Sequence, residues 1–353
     1  MMPRVLVAMS GGVDSSVAAA LLVEQGYDVV AATMKLFCYG DSVPDRPCCS
    51  LDSITDARLV AHKVGIPHYV LNLEDRFGRD VIADFVSEYA RGRTPIPCVR
   101  CNSFTKFRDF LYHADALDCA YVATGHYAIA RDGALYRGRD PAKDQSYFLW
   151  GIDRQVVGRM LTPVGSLTKR ETRAVARRLG LVTAEKRESV EICFVPDGDY
   201  AAVLARHLPN DAPALAPGPL VTVGGEVVGE HAGFARYTVG QRRGLPGGFA
   251  APMYVVEIRP DTREVVIGRG DELLGHAVTL DEVNWLAPPL AAGAAVFVQC
   301  RYRARAVPAR VRATRAAGTL ELELAEPVRA ITPGQSGALY DADGRLLGGG
   351  LIV

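Results

Sequence analysis

Two cysteines three positions apart, Cys98 and Cys101, sit in the stretch PIPCVRCN among prolines. That spacing serves a metal half-site, a redox pair or a nucleophile with a neighbour, and it does not choose among them. A second stretch, SGGVDSS from Ser10 to Ser16, follows an apolar run and opens a helical pattern. Gly11 and Gly12 let the backbone fold tightly and approach an anion without Cβ clashes. The free N–H groups of the following helix favour negative charge, which makes a phosphate site. The hydroxyls of Ser10, Ser15 and Ser16 are placed to donate to phosphate oxygens. Asp14 repels a bare phosphate, so a bridging magnesium ion is implied. The stretch lacks the G-K-[ST] of a Walker loop.

These residues need elements to hold them. RVLVAM reads as a buried strand and SSVAAALLVEQG as a helix ending at Gly26. DVVAATMKL and HYVLNL are further strands. Ala57, Val60, Ala61 and Val64 mark one face of a helix between them. RDVIADFVSEYA is a helix and AYVATGHYAIA is read as one more strand. The alternation predicts a parallel sheet covered on both faces. Thr168 with Glu171 forms a capping box for a later helix. Near residue 208 the composition shifts, and LPNDAPALAPGPL reads as a boundary loop. Beyond it lie turn-punctuated strands, among them LVTVGGEVVG, MYVVEIRPDTREVVIG and ALYDADGRLLGGGLIV, which read as hairpins.

The chain has 353 residues, enough for two or three domains. About half are apolar and about a quarter charged, as in a soluble globular protein. No run approaches the ~20 apolar residues of a membrane span, and the N-terminal apolar run is short for a signal peptide. The expected setting is cytoplasmic, where eight cysteines are buried, metal-bound or catalytic rather than joined in structural disulfides. Formal net charge is zero, so a nucleic-acid partner must be held by local basic patches.

SGGVDSS resembles the pyrophosphate loop of the ATP pyrophosphatases, which adenylate a substrate and release pyrophosphate. GRTPIPCVRCNSFTKF, ATGHYA, KDQSYFLW, EICFVPDGDY and YTVGQRRGL together resemble the tRNA-specific 2-thiouridylases, in order and over nearly the whole chain. The resemblance implies ATP-driven sulfur transfer to C2 of the wobble uridine, in the anticodon stem-loop of tRNA. It implies an α/β fold: an N-terminal parallel-sheet ATP-pyrophosphatase domain of the adenine nucleotide alpha-hydrolase kind over 1–205, a small central β-rich domain over 206–278, and a C-terminal β-barrel over 279–353. It places ATP with Mg2+ at Ala8, Met9, Ser10, Gly11, Gly12, Val13, Asp14 and Ser15, with Met34 near adenine and Gly125 near the nucleotide. It assigns tRNA contacts to His126, Lys143, Asp144, Gln145, Arg301, Tyr302 and Gln335.

By the same resemblance Cys101 matches the nucleophile and Cys193 the cysteine that receives persulfide sulfur, with a Cys101–Cys193 disulfide closing the cycle. Relatives of this family carry aspartate where Cys98 stands. Three thiolates at Cys98, Cys101 and Cys193 suit a [4Fe–4S] cluster with one open iron able to carry hydrosulfide. The other reading leaves Cys98 a bystander beside a two-cysteine persulfide site. A sulfur donor protein or sulfide is required in either case. A non-catalytic tRNA- or iron–sulfur-binding protein retaining the fold is the alternative, and an amide-forming synthetase would not need the paired cysteines.

RYRARAVPARVRATR, 301 to 315, has six arginines and no acid. Alternating Arg301, Arg303 and Arg305 are expected on one face of a strand, a surface suited to phosphates. Cys38, Cys48 and Cys49 are expected to be structural, and Cys119 and Cys300 to be core residues.

Overall fold

The computed structural model of the chain describes residues 2–37, 51–188, 192–195, 198–245, 247–315 and 318–353. Cys38, Cys48 and Cys49 lie outside them. A five-stranded parallel sheet organises the N-terminal part, in the order His68–Asn72, Asp28–Lys35, Arg4–Ala8, Tyr121–Ala123, Met160–Leu161. Its central strand is fully apolar inside: Val5, Leu6 and Val7 have no exposed surface. Such a run is what a sheet covered on both faces selects. The helix Val13–Glu24 packs Val17, Ala18 and Ala19 against it at zero exposure.

A four-stranded sheet follows, ordered Tyr254–Arg259, Glu264–Gly268, Gly218–Thr222, Val227–His231. Both hairpins read from the sequence are present in it. The Pro-rich stretch ahead of it is anchored rather than free, since Ala214 is buried in the core shared with Phe234 and Leu220. Six strands then close a barrel in the order Leu274–Trp285, Thr319–Arg329, Val307–Arg315, Ala295–Gln299, Ser336–Tyr340, Arg345–Ile352, with the first pairing back onto the last.

One element departs from the sequence reading. AYVATGHYAIA is two strands in two different sheets. Tyr121–Ala123 belongs to the parallel sheet, whereas Ala128–Arg131 turns back on Ala134–Arg137 and that hairpin extends the barrel at Arg345 and Leu346. The break falls at Gly125, which the strand pattern reads through. The arginine run is corrected too. Its strand begins only at Val307. Arg301 to Ala306 form turns, with Arg303 at φ 63°, so Arg301, Arg303 and Arg305 do not line one strand face. On the neighbouring strand Thr319–Arg329, Glu326, Glu323 and Glu321 pair with Arg305, Arg312 and Arg315. Cys119 and Cys300 are core residues as expected, both 3% exposed, and burial pushes the Cys300 thiol up to about 12.

Among the described residues no helix is long and apolar enough to cross a membrane.

Candidate functional site

The loop after the central strand is built as an anion cradle. Gly12 precedes the helix Val13–Glu24 in extended geometry and offers no side chain to cap the helix N-terminus. Its first amides therefore stay open to a ligand. Ser15 Oγ lies 3.3 Å from Ser10 Oγ and accepts the Ser10 N–H at 3.1 Å. Ser16 is different from the sequence reading: its hydroxyl is fully buried and donates to Gly12 O at 2.8 Å. It braces the loop and is not offered to a phosphate.

Asp14 is not bare either. Lys169 Nζ donates to its two carboxylate oxygens at 2.7 and 2.8 Å, and Tyr127 OH donates at 2.8 Å. Lys169 is also 3.2 Å from Glu188, which in turn accepts from Lys143 Nζ at 2.5 Å. Burial works against the Glu188 carboxylate, but Lys143 and Lys169 outweigh it and hold its pKa below the usual range. An alternating chain of charges thus runs from Asp14 through Lys169 and Glu188 to Lys143. The sequence reading missed Lys169, Glu188 and Tyr127. Lys169 is visible in the sequence only as the residue after a helix cap, and nothing local signals a partner far away in the chain.

Gly125 is where this loop meets the strand end. A Cβ there would stand 2.5 Å from Ser15 N and 2.7 Å from Asp14 C. Gly125→Ala will push the cradle open, costing about 1–3 kcal/mol and weakening inorganic pyrophosphate binding. Calorimetry with pyrophosphate and a melting curve check both; wild-type binding in this variant would refute the close approach.

Next to it, His126 is partly buried, its Nδ1 2.9 Å from Thr124 Oγ1 and its ring 5.9 Å from that of Phe107. Burial, with Lys106 close by, pushes its pKa down to about 3, so the ring is neutral at pH 7. Asp144 and Gln145 face inward. Asp144 accepts from Gly138 N, Ser146 N and Arg137, and Gln145 accepts from Tyr127 N at 3.0 Å. Tyr302 packs against Phe148 with ring centres 4.4 Å apart. Met34 lies near the carboxyl end of its strand, partly buried between two apolar clusters.

The cysteines are divided by burial. Pro97 opens the short helix Pro97–Arg100, and Cys101 starts a π-helical stretch Cys101–Lys106, a distortion found often at functional sites. Cys98 is exposed and Cys101 buried. Cys101 belongs to a cluster with Phe77, Phe85 and Phe194, and Cys193 packs against that same cluster. Among the described residues no three His, Cys, Asp or Glu side chains are grouped to hold a metal ion. Of the expected trio, Cys98 is exposed one turn before the buried Cys101, and Cys193 is half-buried.

A parallel sheet with an open, hydroxyl-lined helix N-terminus after its central strand defines a nucleotide-binding domain of the ATP-pyrophosphatase class. Residues 3–197 match the family model described as the tRNA methyl transferase HUP domain, 202–269 the tRNA methyl transferase PRC-barrel domain and 269–352 the aminomethyltransferase beta-barrel domain. The tRNA-specific 2-thiouridylase MnmA of Rhodospirillum centenum is 49% identical over 363 residues, covering 99% of this chain and 91% of that protein. The corresponding proteins of Rhodospirillum rubrum and Symbiobacterium thermophilum are 46% and 44% identical, each over 99% of this chain and over 96% and 92% of their own lengths. The chain belongs to the tRNA-specific 2-thiouridylase family.

Proposed function

We propose that the protein thiolates C2 of the wobble uridine of tRNA at the expense of ATP. The observation that carries this reading is the packing of Cys193 against the cluster that buries Cys101, in a domain that also holds an open phosphate cradle. Methyl transfer, the activity in the family-model descriptions, needs neither feature.

A uracil C2 carbonyl is a poor electrophile with a poor leaving group. Transfer of AMP from ATP to the C2 oxygen creates a good one, and the pyrophosphate departs into the Ser10–Ser15 loop. The loop amides and hydroxyls stabilise charge that develops there. Oxygen donors such as the Asp14 carboxylate suit magnesium shared with phosphates; Asp14 would be its protein ligand once Lys169 turns to the phosphates.

The sulfur arrives on Cys193 as a persulfide made by a separate donor. Its terminal sulfur attacks C2 and AMP leaves, giving a Cys193–S–S–C2 adduct. The Cys101 thiolate then attacks Cys193 Sγ. A Cys101–Cys193 disulfide forms, the sulfur departs with the base as a thiocarbonyl, and the disulfide must be reduced before the next cycle. The two thiols are oxidised and the sulfane sulfur is reduced, so electrons balance. The setting we infer is cytoplasmic, where tRNA and a thiol reductant are both at hand.

The exposure of Cys98 favours the persulfide route over a cluster. The expected result is that protein purified without oxygen makes AMP, pyrophosphate and 2-thiouridine only with tRNA, and that Cys98→Ser keeps the rate within about twofold, as an exposed substitution should. Coincident loss of iron, acid-labile sulfide and activity in Cys98→Ser, with wild-type activity tracking iron, would establish the cluster instead. ATP turnover indifferent to tRNA would remove the thiolase reading altogether.

A further inference from the structure

Two motifs, YTVGQ and TPGQS, have no part in the chemistry above, yet both converge on the segment leading into Cys98 and Cys101. Thr94 is held from other parts of the fold. Its N–H donates to Pro333 O at 2.8 Å, its carbonyl accepts from Gln335 Nε2 at 3.0 Å, and its hydroxyl donates to Thr238 Oγ1 at 3.1 Å. Gln335 Nε2 also reaches Pro95 O at 3.2 Å, so one amide holds two successive carbonyls. The fit is close: a Cβ on Gly334 would lie 2.8 Å from Thr94 O and 2.9 Å from Thr94 N. Arg93 adds a bond from Nη2 to Ile352 O at 3.3 Å.

The two gripping loops are locked to each other. Arg301 Nη2 donates to Val239 O and to Thr332 Oγ1, both at 2.7 Å. The Arg301 guanidinium and the Gln335 amide, which the family resemblance gives to tRNA, are here engaged inside the protein.

The chain beyond Thr94 is stiff. Pro95 and Pro97 have fixed φ and no N–H, so the carbonyls are the handles by which this stretch can be held. A shift at 94–95 is passed on to the Pro97–Arg100 helix and to Cys101 rather than absorbed between them.

We propose that Gln335 and Thr238 are positioning residues for sulfur transfer, a clamp from the barrel and the central domain that fixes Thr94 and Pro95 and thereby sets the place of Cys101. The proposal rests on the thiolase reading. It gives the two C-terminal domains a share in the chemistry beyond any RNA they hold.

The test uses full-length Gln335→Met and Gln335→Glu, which keep length and remove the donor, and Thr238→Val, which keeps shape and removes the hydroxyl. Four quantities are measured: tRNA Kd, tRNA-dependent AMP formation, single-turnover 2-thiouridine formation at saturating tRNA, and amide exchange over 93–102. The expected result, read at saturating tRNA, is faster exchange over 93–102 and sulfur transfer slowed about ten- to a hundredfold in the Gln335 variants while AMP formation is kept, the scale of a misplaced reacting group. Thr238→Val moves the same way and less, and it carries the test if the Gln335 variants fold poorly. Weaker tRNA binding with normal sulfur transfer at saturation would make Gln335 an RNA contact and overturn the clamp. So would normal values throughout. A wild type that makes AMP without 2-thiouridine, whatever the donor, would fault the thiolase reading and not the clamp.

Discussion

Cys101→Ser and Cys193→Ser will each lose 2-thiouridine formation by roughly 10⁴-fold, the scale on which removal of a covalent nucleophile registers, while tRNA-dependent pyrophosphate release continues. The separation has its origin in the layout of the site. The phosphate cradle is carried by the loop before Val13–Glu24, whereas Cys101 lies in the cluster of Phe77, Phe85 and Phe194 and Cys193 packs against it. Serine replaces sulfur with little change of volume, so neither variant disturbs that packing much. The two should stall differently. Cys193→Ser has nowhere to load sulfane sulfur. Cys101→Ser loads it and then accumulates base joined to Cys193 through a disulfide, which mass spectrometry of the quenched protein–RNA adduct detects. Thiolation at the wild-type rate in either variant would take that cysteine out of the mechanism, and an adduct on neither would do so for the order of steps.

Asp14→Ala and Lys169→Met will each slow pyrophosphate release about 10²- to 10³-fold, the range for loss of one preorganised charge at a transition state, with tRNA affinity largely kept. Lys169→Met leaves the Asp14 carboxylate facing incoming phosphates with the Tyr127 hydroxyl still donating to it but its ammonium partner gone. Its ATP affinity should therefore fall below that of Asp14→Ala. The combined variant Asp14→Asn with Lys169→Met removes the uncompensated charge and should bind ATP better than Lys169→Met alone, a non-additivity that signals direct coupling. Calorimetric ATP titrations and pyrophosphate release give the two readouts. Strict additivity would mean that the 2.7 Å Lys169–Asp14 contact has no bearing on the nucleotide.

The geometry proposed for the phosphate cradle is legible in SGGVDSS because everything it needs is local: a strand, two glycines and a helix start. The capping box of Thr168 and Glu171 is legible for the same reason, and both of its hydrogen bonds are present. What escapes is what depends on distant partners. AYVATGHYAIA keeps its apolar character through Gly125, and only the approach of the Ser15 backbone explains why the chain leaves one sheet there and enters another. The arginine run looks unbalanced because Glu321, Glu323 and Glu326 lie on the neighbouring strand and not in the run itself. Cys98 and Cys101 look equivalent by spacing, yet one is exposed and the other buried, a difference set by the cluster of Phe77, Phe85 and Phe194 rather than by neighbours in sequence.

The hairpin 128–137 bears on how the protein is made. Among the described residues, its strand Ala134–Arg137 finds a partner beyond the hairpin only in Arg345–Ile352. At a synthesis rate of about 5–20 residues per second the hairpin waits on the order of ten to forty seconds for that partner to leave the ribosome. During that time the outer edge of this hairpin stands open beside an otherwise formed N-terminal sheet, the kind of surface that pairs with other chains. Translation rate and chaperone supply should thus govern the yield of folded protein more than the stability of the finished molecule does, and a chain cut short before residue 345 should aggregate instead of surviving as a tidy fragment.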